Sequence, residues 1–439
     1  MNRVLGIELR RSAAPGAALL LLAVGVVLLF FAEGIGFATG WMQLAMTQRL
    51  YLAVLWPLAL AAGAWQARRE HRSNVAELFA STPRPRAHRT GPTLGAMAVA
   101  MVSGYLATGV ICGLWIIDTA EYLPVQVFVV TAVGCLALIA AAWLGLAVGR
   151  LLPWPVIAPA LSVAGLGLLL LIPGATRPRG WLALVFSPIY EMNMPAAYTT
   201  VPGRVSVAQA VWLAALAVTA VLLFASSGWR LRVAAVLPLT LGAALAITVM
   251  PHQNRYVTDA IDPVARQLVC TGDEPRVCVS RVHSGLLAEV SAQARTGLAI
   301  LAQLPDPPTQ VHEDTTTFFP KYSPRWRQEV VLLRVEVGQN GHLDRSEVLA
   351  DVVTGAFASP PGCTDSIGPA ERLAAASWLI GPEPTAGGTY DPADGATAQQ
   401  LWRHLRQLPA DEAKALVAAL RLAALTCSTG DGLLSASPR

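Results

Sequence analysis

Seven stretches of this chain contain no Asp, Glu, Lys or Arg, and each is long enough to cross a lipid bilayer as a helix. A spanning helix needs about 20 apolar residues to cross roughly 30 Å of hydrocarbon. Only 14% of the 439 residues are charged, whereas soluble proteins carry about 25%. These stretches predict a polytopic α-helical membrane protein and exclude a disordered chain or an ordinary soluble enzyme. They lie between Arg11 and Glu33, Arg49 and Arg68, Arg89 and Asp118, Glu121 and Arg150, Arg150 and Arg177, Arg204 and Arg230, and Arg232 and Arg255.

Charges, prolines and polar residues recur every few positions after Arg255. We therefore predict a transmembrane domain over residues 1–250 and a second domain over 251–439, which is long enough to form its own core. The predicted spans cover about 13–32, 48–67, 93–116, 125–148, 153–173, 206–227 and 233–250.

The second domain mixes two hydrophobic periodicities, which predicts an α+β fold. Alternating apolar residues indicate strands over 276–282 and 329–337. Apolar residues at helical spacing indicate helices over 286–304, 371–380, 397–408 and 410–425.

Arginine placement predicts the orientation in the membrane. The segment 68–89 contains six arginines, and the positive-inside rule places such a segment in the cytoplasm. The loop that holds Asp118 and Glu121 carries no basic residue and falls on the other side. With seven spans, the N-terminus is then cytoplasmic and the C-terminal domain is extracytoplasmic, in a multi-pass protein of the cell membrane.

The C-terminal domain contains four cysteines, an even number that suits two disulfides in an oxidising compartment. Three pairings are possible. We favour Cys270 with Cys278, because residues 271–275 are typical of a turn between two strand ends, and this leaves Cys363 with Cys427. Their spacing is unlike that of a zinc site.

Motifs for catalysis are absent from the sequence. Neither Lys321 nor Lys414 follows a glycine, so there is no phosphate-binding P-loop, and no dinucleotide, zinc-protease or serine-hydrolase motif is present. We expect no enzymatic activity and no cofactor. A metal site at residues 312–314 is disfavoured, because adjacent strand residues point to opposite faces, and His283 is expected at the surface. The net charge of +4 is too dilute to indicate nucleic-acid binding.

The interiors of the predicted spans contain no ionisable residue, with Glu33 only at the end of the first. Carriers driven by protons or sodium depend on such residues. If the bundle moves a substrate, the energy must therefore come from another subunit acting from the cytoplasm.

The largest predicted inner loop, residues 68–92, is the best candidate for a partner site. Asn74 and Glu77 have capping-box spacing, which predicts a short helix that exposes Leu78 and Phe79 below the membrane and ends at Pro83. Two interpretations are open: a basic patch that contacts lipid headgroups, or a helix that docks on a protein.

The loop resembles the inner loop of ABC-2 type transporter permeases. The resemblance rests on Arg69, Glu70, Arg72, Ser73, Glu77, Leu78, Ser81, Thr82 and Pro83, while Asn74 replaces a frequent glycine. It implies a six-span bundle. The seventh span and the outer domain resemble an extension of actinobacterial membrane proteins of this kind.

In that family this loop couples the permease to a cytoplasmic ATP-binding subunit, and two permease copies form the export path. The resemblance thus implies an exporter permease subunit that pairs with a second copy or a related permease and contacts membrane lipids. The implied coupling residues are Arg69, Glu70, Arg72, Ser73, Asn74, Glu77, Leu78, Phe79 and Pro83. The alternative is a sensor whose outer domain binds a ligand or partner and signals inward.

Two pairs of glycines have the spacing that lets helix backbones approach closely, Gly109 with Gly113 and Gly145 with Gly149. They are candidates either for the surface between two permease copies or for packing within one chain.

Overall fold

The chain folds into two compact units. The N-terminal unit comprises Met1–Ile117 and Leu123–Asp262, and the C-terminal unit comprises Asp118–Tyr122 and Pro263–Arg439. The computed structural model describes residues 6–9, 12–32, 36–68, 86–189, 196–226, 228–254, 260–343, 345–363, 367–384, 391–430 and 432–435. Within these ranges, only the backbone is described at 86–89 and 345–346.

The N-terminal unit is helical. We label its helices in chain order: α1 (Ala14–Phe31), α2 (Trp41–Leu50), α3 (Leu52–Ala67), α4 (Arg86–Ile116), α5 (Gln126–Leu151), α6 (Ile157–Ala175), α7 (Gly180–Phe186), α8 (Gly203–Ala225), α9 (Trp229–Ala234) and α10 (Val236–Val249).

Six of the described helical segments are long and apolar enough to cross a membrane: α1, Thr90–Ile116 within α4, α5, α6, α8 and the joined α9–α10. The pair α2–α3 would make a seventh span, but it bends by 52° at Tyr51. A helix satisfies its own backbone hydrogen bonds, which lipid cannot do. The prediction of several long apolar helices, each able to cross a bilayer, is therefore confirmed.

The second predicted span, 48–67, differs from the observed pair, which begins at Trp41. Helix α2 is polar, and its buried residues include Gln43, Gln48 and Arg49. Such a helix can sit inside a membrane bundle only where protein covers it. Contacts with residues distant in the chain provide this cover, and a window of local hydropathy does not detect them.

Helices α3 and α5 approach closely through glycines. A Cβ atom at Gly145 would lie 2.9 Å from the carbonyl carbon of Leu60, and one at Gly149 would lie 2.7 Å from the Cα of Ala64. Gly109 and Gly113 likewise face the side chains of Gln48 and Trp41 on α2. All four glycines of the two predicted pairs therefore face helices of the same chain.

The C-terminal unit combines helices with a small mixed sheet, as the α+β prediction stated. Its elements are β1 (Leu268–Cys270), β2 (Val277–Ser280), a 3₁₀ helix (Arg281–Leu286), α11 (Leu287–Leu301), β3 (Gln310–Glu313), β4 (Thr317–Phe318), β5 (Lys321–Tyr322), β6 (Val330–Leu333), α12 (Arg345–Gly355), α13 (Pro369–Ile380), α14 (Pro392–Gln407) and α15 (Ala410–Leu425).

The main sheet has the strand order β1-β2-β3-β6, with β1 antiparallel to β2 and the other neighbours parallel. Valines at its centre, Val277, Val311 and Val331, are fully or almost fully buried in the core. The strand predicted over 329–337 ends at Leu333, because the ladder with its neighbour β3 ends at the pair Glu313–Leu333.

Both favoured cysteine pairs are at disulfide distance. Cys270 and Cys278 are register partners on β1 and β2, and their Cα atoms are 4.0 Å apart. Cys363, in the segment before α13, pairs with Cys427, which follows α15, over a Cα separation of 5.3 Å. The second bridge therefore ties the last helix to a segment 64 residues earlier.

Candidate functional site: a buried polar cluster beside an apolar cleft

The predicted coupling residues lie outside the described part of the chain. Helix α3 ends at Ala67 and α4 begins at Arg86, so residues 86–92 of the predicted loop are helical. Their role in docking a partner stays a prediction. The residues concerned are Arg69, Glu70, Arg72, Ser73, Asn74, Glu77, Leu78, Phe79 and Pro83.

The first feature of the described bundle is a buried arginine at the end of α2. Arg49 has no exposed surface. Its Nε donates to the carbonyl oxygen of Pro188 at 3.0 Å, and its Nη2 donates to Oε1 of Gln209 at 2.8 Å. Gln209 in turn donates from Nε2 to the carbonyl oxygen of Leu184 at 3.0 Å. A buried charge is tolerated only when it is held by polar partners, and these bonds supply them.

Arg49 corrects the prediction that the spans contain no ionisable residue in their interiors. Its partner Gln209 is the seventh residue of α8, so it lies about 9 Å along the helix axis from the first. In the sequence Arg49 stands at the edge of an apolar window, and its neighbours Gln43, Thr47 and Gln48 are the signal of a polar helix. Ionisable residues inside a membrane bundle are commonly functional.

The other polar residues of α2 also bond to distant parts of the unit. Gln43 donates from Nε2 to the carbonyl oxygens of Ala196 and Ala197, at 2.8 Å each. Gln48 donates from Nε2 to the carbonyl oxygen of Tyr105 on α4 at 2.6 Å. Helix α2 is thus held by its polar side chains, and Gln48 is fixed in one orientation.

An apolar cleft of about 650 Å³ lies between α2, α4 and α5, within the range of pockets that bind organic ligands. Gln48 and Thr131 are the polar side chains among the described residues that line it. Leu114 is 63% exposed and Phe128 is 61% exposed. Because these two lining residues are so exposed, the cleft opens to the outer surface of the bundle.

The cleft and the polar cluster meet at α2. Gln48 lines the cleft, and Arg49 beside it is bonded on the side of α8. Trp41, one end of α2, forms another part of the cleft wall. The arrangement can hold an apolar chain and offer it one amide contact. Across the described ranges, no group of three or more His, Cys, Asp and Glu could hold a metal ion.

The C-terminal unit contains a buried polar group that the sequence did not reveal. His283 is 1% exposed, which contradicts its expected surface position. Its Nδ1 lies 2.8 Å from Oε1 of Glu313, and Ser280 donates from Oγ to the same oxygen at 2.9 Å. The backbone N–H of Ser280 donates to Oε2 of Glu313 at 2.6 Å.

These three residues do not form a hydrolase triad. In a triad the serine bonds to one ring nitrogen of the histidine and the acid to the other. Here the serine and the acid both lie at Nδ1, while Nε2 of His283 is buried without a hydrogen-bond partner. The group instead joins the end of β2 to the end of β3 and fixes the start of the 3₁₀ helix.

Comparison of the chain with protein-family models, curated proteins and solved structures gives no match.

Proposed function

We propose that the chain is the membrane-spanning permease subunit of an ABC-type exporter, and that its cargo carries an apolar chain. The observation that carries the proposal is the apolar cleft of about 650 Å³ between α2, α4 and α5. It opens on the surface of a helical bundle whose spans face lipid. The apolar chain of a cargo could thus enter the cleft sideways from the membrane.

Selectivity in such a cleft must come from its polar contacts and its shape. Lipid tails are as apolar as the cleft wall, so moving an apolar chain from lipid to the cleft gains little hydrophobic free energy. Gln48 and Thr131 provide the polar contacts. Arg49, through its bonds to Gln209 and Pro188, positions the helix that carries Gln48.

The energy for export would come from a separate cytoplasmic ATP-binding subunit, because the sequence has no P-loop. We place its docking site on the loop 68–92, with Leu78 and Phe79 as the apolar anchors. Burying each anchor would contribute about 1.5–3 kcal/mol, enough to change the affinity tenfold or more. If the loop 68–92 is cytoplasmic, as the positive-inside rule predicts, the C-terminal domain lies outside the cytoplasm.

The coupling part of the proposal is tested by purifying the full-length protein from its native cells in mild detergent. We expect a P-loop ATPase to copurify and to hydrolyse ATP faster in the complex than alone. Leu78→Ala with Phe79→Ala should abolish both effects and leave membrane insertion unchanged. If the double variant keeps its ATPase, and Arg69→Ala with Arg72→Ala alone detaches the loop from anionic vesicles, the loop is a lipid anchor and the coupling site is wrong.

The cleft part is tested with a photoreactive fatty acid incorporated into the membrane. We expect labelling on the walls formed by α4 and α5, and a strong decrease in Ala132→Trp, which places an indole in the cleft. The matched control is Ala160→Trp, an exposed alanine of α6 away from the cleft lining. Equal labelling of both variants at those walls would refute the cleft as a binding site.

A further inference from the structure

The C-terminal unit contains a second buried arginine. Arg421 on α15 is 1% exposed, and its Nη2 donates to the carbonyl oxygen of Asp306 at 2.5 Å. Its Nε and Nη1 are buried and have no hydrogen-bond partner. Burial lowers the pKa of Arg421, and the charge of Asp306 opposes the shift, yet arginine stays protonated at physiological pH. The guanidinium is therefore a buried cation with unused donors.

Buried donors without acceptors are costly, and native proteins rarely leave them so. The carboxylate of Asp306 accepts from neither Nε nor Nη1 of Arg421. Asp306 is exposed, and its backbone carbonyl accepts the bond from Nη2. Arg421 thus retains donor capacity that a ligand could use.

Arg421 forms part of the wall of a pocket of about 250 Å³. A second cation, Arg327, lines the same pocket and is 46% exposed; its Nε lies 3.7 Å from Oε1 of Glu329, which is not among the lining residues. Among the described residues that line it, none is acidic. Trp326, Leu332 and Leu425 give the pocket an apolar wall. The pocket therefore combines positive charge with apolar surface.

We propose that this pocket binds a small organic carboxylate, with the carboxylate on Arg421 and the organic part against Trp326, Leu332 and Leu425. The planar guanidinium suits a carboxylate because it donates several hydrogen bonds in a fixed geometry. The apolar wall favours an organic anion over an inorganic one. The volume of about 250 Å³ is below the range of about 300–1,000 Å³ for drug-sized ligands, which limits the occupant to a small molecule.

This site goes beyond the proposed exporter activity. It lies entirely in the C-terminal unit, whose residues belong to neither the cleft nor the loop 68–92. It gives the outer domain a ligand of its own, and the two proposals can fail independently because their experiments share no variant and no readout.

The test measures binding of radiolabelled benzoate and hexanoate to the full-length protein in detergent, by equilibrium dialysis at constant ionic strength. We expect saturable binding to the wild type. Arg421→Met should weaken it at least tenfold, and Arg327→Gln by a few fold. The matched control is Arg403→Gln, which removes one exposed arginine of the same unit that pairs with Glu383 instead.

A second variant covers the case in which Arg421→Met disturbs folding. Ala358→Phe places a phenyl ring at another lining position of the pocket and keeps Arg421, so it should also abolish binding. Circular dichroism identifies which variants are folded. Three results would overturn the proposal: no saturable carboxylate binding to the wild type, wild-type binding in folded Ala358→Phe or Arg421→Met, or inorganic phosphate binding in preference to both carboxylates.

Discussion

The close approach of α3 and α5 gives the most direct test of the bundle. A methyl group at Gly145 would lie 2.9 Å from the carbonyl carbon of Leu60 and 3.0 Å from the backbone nitrogen of Ala64. The carbonyl oxygen of Leu60 would be closer still. All three obstacles are backbone atoms of α3, which cannot rotate away as a side chain can. Gly145→Ala must therefore push the two helices apart.

The size of the effect follows from these distances. Non-bonded carbon atoms are best separated by about 3.5–4.0 Å, and the carbonyl oxygen of Leu60 lies closer to the added methyl group than any other atom, so the helices must move apart by roughly 1 Å or more. A gap of about 1 Å loses about half of the dispersion energy of each contact across the interface. Overpacking of this kind typically costs about 1–3 kcal/mol. The higher helix propensity of alanine returns up to about 1 kcal/mol.

The matched control is Gly167→Ala on α6, where an added Cβ would meet nothing within 4 Å. Both variants gain the same helix propensity, so their difference isolates the packing cost. Thermal unfolding of the full-length protein in detergent should give a lower midpoint for Gly145→Ala, by about 2–4 °C for each kcal/mol. Gly167→Ala should match or exceed the wild type.

Equal midpoints for the two variants would refute the close packing of α3 on α5. A different failure is also informative. If Gly145→Ala keeps the stability of the wild type but converts a dimer to a monomer in native mass measurements, the glycine pair faces a second copy of the chain, as the alternative interpretation of the sequence allowed.

Two further predictions concern the C-terminal unit. Replacing Cys363 and Cys427 by serine should cost about 4 kcal/mol, and replacing Cys270 and Cys278 about 2.5 kcal/mol, because the loops differ in length, 64 against 8 residues; calorimetry in which the short loop costs more would contradict this. Burial, with Glu336 and Glu347 nearby, raises the pKa of Asp351 to about 6. A raised carboxyl pKa stabilises the fold while the group is protonated, and this contribution is lost as the pH rises from about 4 to 6. Asp351→Asn should therefore unfold at a higher temperature than the wild type at pH 7.5 and lose that advantage near pH 4, and an advantage independent of pH would refute the shift.

The helices whose sequence pattern is purely local were predicted closely from the sequence. Helix α1 covers Ala14–Phe31 against a predicted 13–32, and α15 has the predicted bounds, Ala410–Leu425. A charge-free stretch of about 20 residues has few alternatives to a membrane helix, since its backbone must satisfy itself. The pairing of Cys270 with Cys278 could also be predicted from the sequence, because a short turn leaves its two flanking cysteines close together.

The sites depended on contacts that no local pattern contains. Arg49 can be buried inside the bundle because Gln209, 160 positions later, accepts its hydrogen bond. His283 is buried because Glu313 on β3, 30 positions later, lies beside it. Arg421 lines a pocket with residues that precede it by about a hundred positions.

The sequence by itself determined the long apolar helices and the polar texture of the second unit, because charge is costly in hydrocarbon and a charge-free stretch is therefore recognisable. It did not indicate that α2 starts at Trp41 or that Asp118–Tyr122 belongs to the second unit. The tertiary structure decided which polar side chains inside those segments are tolerated and which glycines touch a neighbour. Burial of a polar group depends on the partner that satisfies it, and the fold, not the neighbouring sequence, supplies that partner.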